Sequence, residues 1–295
     1  MGLVLGIVGL PNVGKSTLFR ALTRVEAEAA NYPFCTIEPN VGIVPVQDER
    51  LQKLNELIKP EKCVPATLKV VDIAGLVKGA SEGEGLGNQF LSHIREVQAI
   101  AHVVRCFEDE NIAHVTGKPS ALDDLEIVET ELILADLSQL ERKLERLSKQ
   151  MKGKSAKGSS PDANETAVFQ KMHDHLASGK MASSLELSEE EEKTLQELQL
   201  LTAKPFFYVA NLDEEELENP GPQFQALEKH AAQQGKSVIP VSAKLEAELS
   251  EMDEEESREF QEEMGLQQTG LDQVILRGYE PVSYTHLTLP TNLCV

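Results

Sequence analysis

The chain has 295 residues, of which 41% are hydrophobic and 26% charged, and its formal net charge is −21. This length allows one large hydrophobic core or two modest ones. No window approaches about eighteen uninterrupted apolar residues, and the four scattered cysteines fit neither a disulfide framework nor a zinc site. The acidic surface disfavours general DNA binding, because it would repel a phosphate backbone. We therefore expect a cytoplasmic protein that contacts neither membrane nor DNA.

Short apolar segments alternate with amphipathic ones along most of the chain. The predicted strands are Leu3–Val8, Gly42–Val46, Ala66–Val71, Ile100–Cys106, Phe206–Ala210 and Ser237–Val241. Helical patterns are found at Ser16–Leu22, Glu49–Ile58, Gln89–Val97, Leu245–Met264 and Thr269–Glu280. This alternation predicts an α/β fold with a mostly parallel sheet and helices on both faces.

The first predicted strand leads into the run GLPNVGKST, residues 9–17, where a helix begins. A loop of the form GxxxxGK[ST] (a P-loop) surrounds the β-phosphate of a nucleotide with backbone N–H groups. Its lysine gives a cation to the β- and γ-phosphates, so Lys15 is a candidate catalytic residue, and the Ser16 hydroxyl is a candidate ligand of Mg²⁺. Nucleotide binding is predicted for Asn12, Val13, Gly14, Lys15, Ser16 and Thr17, with Mg²⁺ as cofactor.

Two later segments are predicted to complete the metal and γ-phosphate site. Asp72 closes the third strand, where a carboxylate can hold Mg²⁺ through water, and Gly75 can donate its N–H to a γ-phosphate. Thr36 is the best-placed hydroxyl to complete the Mg²⁺ shell, and an ordinary loop threonine is the alternative. The glycine-rich stretch Gly79–Gly87 is predicted to be a second switch loop. Leu76 stands where a water-orienting glutamine is often found, so hydrolysis must be slow or use another group.

His114 follows the fourth predicted strand, at the edge of the sheet where nucleotides bind. A neutral imidazole at this edge could position the attacking water. The alternative is a surface loop histidine with no part in the chemistry. His114 is therefore the second candidate catalytic residue.

The strand–helix alternation stops between about residues 122 and 203. Apolar residues then step by four and three through Ile133, Leu137, Leu140, Leu144, Leu147 and Met151. This spacing predicts a coiled-coil seam, with a turn near residues 152–161 and a return that includes Val168, Met172, Leu176, Leu195, Leu198 and Leu201. The prediction is an α-helical coiled-coil hairpin inserted between two strands. Basic residues between Arg142 and Lys157 form either a solvated helix face or a local contact for RNA.

The ends of the fifth and sixth predicted strands indicate which base is bound. Guanine sites usually carry N/TKxD, whose Asp accepts two hydrogen bonds from guanine. Here Asn211 begins a segment that lacks the lysine, and Glu214 occupies the acidic position. Because Glu is one methylene longer than Asp, Glu214 would fit two hydrogen bonds to guanine only with strain, and this favours ATP over GTP. Ser242 and Ala243, after the sixth strand, are predicted to form the last base-side loop.

Residues 9–17, the stretch NYPFCTIEPNVG at 31–42, the run from Asp72 to Val97 and the helical insertion together resemble the Obg-like ATPases. The resemblance extends to about residue 280. It implies ATP preference, with Asn211 and Leu212 lining the adenine site, and the ribosome or its RNA as partner. The predicted division is a nucleotide-binding domain at 1–121 and 204–280, with the helical insertion at 122–203. Residues 281–295 do not match the start of the TGS domain of this family, so we expect that domain to be missing.

The leading functional hypothesis is a Mg²⁺-dependent ATPase that hydrolyses the β–γ phosphate bond and works as a nucleotide-driven switch. A second hypothesis is a scaffold that binds nucleotide but hydrolyses it slowly or not at all, which Leu76 favours. A third, a conventional GTPase, is disfavoured by Glu214 and the missing lysine.

Overall fold

The computed structural model describes residues 3–24, 40–60, 63–73, 86–109, 111–114, 120–153, 161–263 and 268–280. Within these residues six strands form one sheet: β1 (Leu3–Val8), β2 (Val41–Pro45), β3 (Thr67–Asp72), β4 (Ala99–Arg105), β5 (Phe206–Asn211) and β6 (Val238–Val241). Their order is β2-β3-β1-β4-β5-β6. β2 and β3 are antiparallel, and the other neighbouring pairs are parallel. The predicted, mostly parallel sheet is therefore confirmed.

The strands differ in burial because they differ in position within the sheet. β4 is central and buried at every residue, as expected for a strand covered on both faces. β2, at the edge, alternates between buried and partly exposed residues. The continuous apolar run of β4 therefore indicated a strand buried on both faces, and the short alternating run of β2 indicated a strand buried on one face.

Ten α-helices are described: α1 (Lys15–Arg24), α2 (Glu49–Ile58), α3 (Leu86–Glu96), α4 (Ala121–Gly153), α5 (Pro161–Ala177), α6 (Glu189–Gln196), α7 (Pro222–Gln233), α8 (Ala243–Leu249), α9 (Glu254–Glu263) and α10 (Gly270–Tyr279). The acidic stretch predicted as helical from Leu245 to Met264 is divided into α8 and α9. Asp253 separates them, because its side chain accepts a hydrogen bond from the Glu256 N–H at 2.9 Å and so begins a new helix. None of the described helices is both long and apolar enough to cross a bilayer.

The long helix α4 belongs to two hydrophobic cores. Near its start, Val128 and Leu132 pack into the core around the sheet. Farther along, Leu140 and Leu147 pack with apolar residues of α5 in a second core. The helical hairpin between β4 and β5 is therefore present, and α4 runs without a break from the sheet into it. The exact domain limits stay a prediction.

The chain returns from the hairpin to the sheet through a polar anchor. Asp136, in the middle of α4, accepts hydrogen bonds from the N–H groups of Leu201 and Thr202 at 2.9 and 2.8 Å. The Thr202 hydroxyl also donates to this carboxylate, at 2.7 Å. Leu201 was predicted to pack in the hairpin but lies in the sheet core, and Leu200 packs in the hairpin core instead. The anchor explains the difference, because it fixes the backbone at these two residues.

Candidate functional site

The P-loop joins β1 to α1 and has a backbone that suits few side chains. Gly9 and Gly14 have φ angles of 152° and 97°, and Asn12 has a φ of 63°. A Cβ on Gly9 would lie 2.4 Å from the Val103 carbonyl oxygen, and one on Gly14 would lie 2.2 Å from the Asn211 side-chain nitrogen. Both glycines are therefore required by close approach as well as by backbone conformation.

Asn211, at the end of β5, connects the P-loop to the loop before α8. Its Nδ2 donates to the Val13 carbonyl at 2.9 Å, and its Oδ1 accepts from the Ala243 N–H at 3.0 Å. Only 6% of Asn211 is exposed. This amide therefore holds the phosphate loop and a predicted base-side loop at a fixed separation.

Lys15 is buried at the start of α1, and its Nζ donates a 2.7 Å hydrogen bond to the Leu10 carbonyl. Burial lowers the pKa of Lys15 to about 8, and the nearby Asp72 carboxylate partly offsets this. The amine is thus placed inside the loop, where a phosphate group could replace the carbonyl as its partner.

Ser16 and Asp72 meet beside the P-loop. The Ser16 hydroxyl donates to Oδ2 of Asp72 at 2.9 Å. Burial raises the pKa of the Asp72 carboxyl, while the Ser16 hydrogen bond and the Lys15 charge oppose that rise. Its second oxygen, Oδ1, is buried and has no hydrogen-bond partner among the described residues. A hydroxyl and a carboxylate with a spare buried oxygen are hard oxygen donors of the kind that Mg²⁺ prefers, so these residues fit the metal.

His114 is not a surface side chain. Its Nε2 lies 2.9 Å from Oδ2 of Asp124 in the first turn of α4, and only 3% and 2% of the two side chains are exposed. The preceding residue touches the P-loop, because the Ala113 carbonyl accepts from Asn12 Nδ2 at 3.1 Å. The structure thus brings the His114 segment to the phosphate loop, with the imidazole turned toward α4.

Two residues of this neighbourhood were missed by the sequence reasoning, namely Arg105 and Asp124. Arg105 ends β4, is 1% exposed and donates to the carbonyls of Phe107, Asp109 and Ile112. A charged residue at the end of an apolar strand was the available signal for Arg105. Asp124 had no comparable signal, because only the fold brings it to His114.

The remaining predicted site residues lie in different surroundings. Ser242 and Ala243 are buried beside Asn211, whereas Glu214 is exposed. The Leu212 side chain is 2% exposed and packs with Val104 and Phe224 in the core. Thr36, Gly75 and Leu76 lie outside the described residues. The individual roles of all these residues stay predictions.

Comparison with known proteins identifies the family. Residues 4–156 match the model of the 50S ribosome-binding GTPase family. The chain is 52% identical over 281 residues to the ribosome-binding ATPase YchF of Escherichia coli O157:H7, covering 95% of this chain and 76% of that protein. The YchF protein of Bacillus subtilis (strain 168) is 51% identical with the same coverage. This chain belongs to the YchF family of ribosome-binding ATPases.

A solved structure of a family member supports the fold assignment. The Schizosaccharomyces pombe YchF GTPase superposes with a TM-score of 0.83 at 39% identity, over 95% of this chain and 75% of that one. The predicted P-loop nucleotide-binding fold is confirmed, as is the resemblance seen in the sequence. The names of these relatives include both ATPase and GTPase, so they do not decide the base.

Proposed function

We propose that this protein is a Mg²⁺-dependent ATPase that prefers ATP to GTP, hydrolyses the β–γ phosphate bond and acts as a switch on the ribosome. The observation that carries the proposal is the arrangement of Lys15, Ser16 and Asp72. A buried cation lies inside a glycine-bounded loop, next to a hydroxyl–carboxylate pair whose second oxygen has no partner among the described residues. This combination suits a triphosphate and its metal.

The reaction is in-line attack of water on the γ-phosphate. Lys15 would exchange the Leu10 carbonyl for phosphate oxygens and, with the P-loop amides, stabilise the charge that develops on them. Ser16 and Asp72 would hold Mg²⁺. When bound, this ion would neutralise part of the negative charge on the phosphate oxygens. Thr36 and Gly75 are proposed to sense the γ-phosphate. His114 is proposed to position the water through its Nδ1, because its Nε2 is engaged with Asp124.

The proposed preference for ATP rests on the base side of the site. The amide of Asn211 is already bonded to both Val13 and Ala243, so this residue shapes the base site more than it reads the base. Recognition of the base then depends on backbone groups near Leu212 and Ser242 and on Glu214. The Glu214 side chain is one methylene longer than the Asp found in guanine sites. This length disfavours the bidentate contact with guanine.

The proposed partner follows from the relatives and from one charged surface. The relatives' names include ribosome binding. On α4, Arg142, Arg146 and Lys149 are exposed and spaced four and three residues apart, so they share one face. This basic α4 face could approach ribosomal RNA although the net charge of the chain is −21. A ribosomal partner also implies a cytoplasmic location.

A direct comparison of nucleotides tests the proposal. Purified protein with Mg²⁺ should release phosphate from ATP well above background and more slowly from GTP. A Ser16→Ala variant removes the proposed metal ligand and should lose most of this turnover, roughly a hundredfold. Faster turnover of GTP, or equal turnover by the Ser16→Ala variant, would contradict the proposal. Nucleotide binding without turnover would support the second candidate, a scaffold.

A further inference from the structure

Asp124, the buried partner of His114, has no assigned purpose in the phosphate site. Nε2 of His114 and Oδ2 of Asp124 are 2.9 Å apart, and both side chains are almost fully enclosed. Removing a carboxylate from water is unfavourable even when it is paired, and apolar side chains of similar size often stabilise a fold better. Such a pair next to a ligand site is therefore a candidate for a role in function.

The segment that carries His114 is also held at its other end by hydrogen bonds. The guanidinium of Arg105 donates to three carbonyl groups, those of Phe107, Asp109 and Ile112. These bonds close the turn that follows β4. The segment is then fastened at both ends, by Arg105 on the sheet and by Asp124 on α4.

The same segment supports the P-loop. Asn12, in a left-handed conformation, donates its side-chain N–H to the Ala113 carbonyl. Because Ala113 precedes His114 directly, the Asp124 contact also fixes the position of this carbonyl. One oxygen of Asp124 is committed to His114, and the other is buried without a hydrogen-bond partner in the described part of the chain. The carboxylate is thus directed at the imidazole and at no other described hydrogen-bonding group.

We propose that Asp124 is a positioning residue of the hydrolysis, acting through His114. It accepts the Nε2–H of a neutral imidazole, which fixes the tautomer with its lone pair on Nδ1 and holds the Ala113 carbonyl against Asn12. The same logic governs carboxylate–histidine pairs in which the carboxylate orients the ring that does the chemistry. This inference rests on the proposed ATPase function and on the part proposed there for His114.

The test compares Asp124→Asn with Asp123→Asn. Both substitutions replace a carboxylate by an amide of the same shape in the first turn of α4, but Asp123 is exposed. Asp124→Asn should lower kcat for ATP about tenfold or more with a much smaller change in KM, since an amide can accept or donate and no longer selects one tautomer. Asp123→Asn should leave kcat within about twofold. Adding His114→Ala to Asp124→Asn should cause no further loss beyond that of His114→Ala, because the two residues act as one unit.

A spectroscopic measurement separates positioning from simple structural support. In ¹⁵N-histidine-labelled wild-type protein, the imidazole signals of His114 are assigned as those that disappear in the His114→Ala variant. These signals should show a proton on Nε2. In the Asp124→Asn variant they should show a mixture of the two tautomers. A wild-type tautomer protonated on Nδ1 would overturn the inference, and this holds even if Asp124→Asn fails to fold. Equal kcat values for Asp124→Asn and Asp123→Asn would also overturn it. Absence of ATP turnover in the wild type would instead contradict the proposed function.

Discussion

At the scale of single residues, the close approach of Asn211 to Gly14 leaves no room for a side chain at this position of the P-loop. A Cβ on Gly14 would lie 2.2 Å from the amide nitrogen of Asn211, closer than any real contact, and the φ of 97° is unfavourable for other residues. We expect Gly14→Ala to displace the Asn211 amide, leave the Val13 carbonyl unpaired, and lower the free energy of unfolding by about 2–4 kcal/mol. Nucleotide affinity should fall by at least about a hundredfold, because the phosphate loop shifts.

Gly179→Ala is the matched control. Gly179 follows α5 with a φ of 79°, and a Cβ there would meet nothing within 4 Å. It therefore carries similar backbone strain without the steric clash, and should cost about 1–2 kcal/mol with unchanged nucleotide affinity. Chemical unfolding and titration with a fluorescent ATP analogue measure both effects. If Gly14→Ala behaves like Gly179→Ala, the contact with Asn211 is not important.

Local motifs and long-range contacts differed in how well the sequence predicted them. The P-loop was predictable because its glycines, lysine and serine are neighbours in sequence and lie between a strand and a helix. The bond from Asn211 to Val13 joins residues 198 apart, and no local pattern indicates it. The pairing of His114 with Asp124, residues only ten apart, was missed because no local pattern indicates toward which element the imidazole turns. Sequence identified the candidate groups, but the fold decided what each group faces.

At the scale of elements, α8 and α10 are joined by one buried carboxylate. Oε1 of Glu246 in α8 accepts from the Gly270 N–H at 2.6 Å and the Leu271 N–H at 3.3 Å, at the start of α10. Burial raises the pKa of Glu246 from 4.5 to about 7, and the two backbone hydrogen bonds offset only part of that rise. The sequence indicated both helices, but a glutamate in an acidic stretch gave no sign that it would be buried.

The raised pKa of Glu246 predicts a specific pH dependence of stability. The folded state binds the proton more tightly than the unfolded state, so this stabilisation is fully present below about pH 4.5 and is lost as the pH rises through about 7. Glu246→Gln keeps an acceptor for the Gly270 N–H and cannot ionise. It should therefore become more stable relative to the wild type as the pH rises from 5 to 8, by at most about 3 kcal/mol.

Melting curves across this pH range measure the effect. Glu248→Gln, at an exposed position on the same helix, serves as the control. A constant difference between Glu246→Gln and the wild type would show that Glu246 has the same pKa in both states.

At the scale of the whole molecule, α4 connects the phosphate site to the proposed ribosome contact. Its first turn holds Asp124 beside His114, and its distal turns carry Arg142, Arg146 and Lys149. A continuous helix of 33 residues spans about 50 Å, so one rigid element reaches both places. The hairpin was predictable from its leucine spacing. The heptad spacing was recognised only from Ile133 onward, so it did not indicate that the same helix begins at Ala121 and packs first against the sheet core.

The basic α4 face can be tested by reversing its charge. Changing Arg142, Arg146 and Lys149 together to Glu should weaken ribosome binding and flatten its salt dependence, because phosphate contacts release counterions in proportion to the cations involved. Lys149 lies 2.7 Å from Glu145, an exposed pair that is worth little and should not mask the effect.

The control must change the total charge equally, since the chain already carries −21 and further acidity alone repels RNA. Lys180, Lys193 and Lys229 are exposed and lie outside α4, so the same triple reversal there adds the same negative charge. Sedimentation with purified ribosomes at several salt concentrations compares the two variants. A larger loss of binding for the α4 variant supports a local contact at this face. Equal losses would mean that net charge governs the association and that the basic α4 face is only a solvated helix surface.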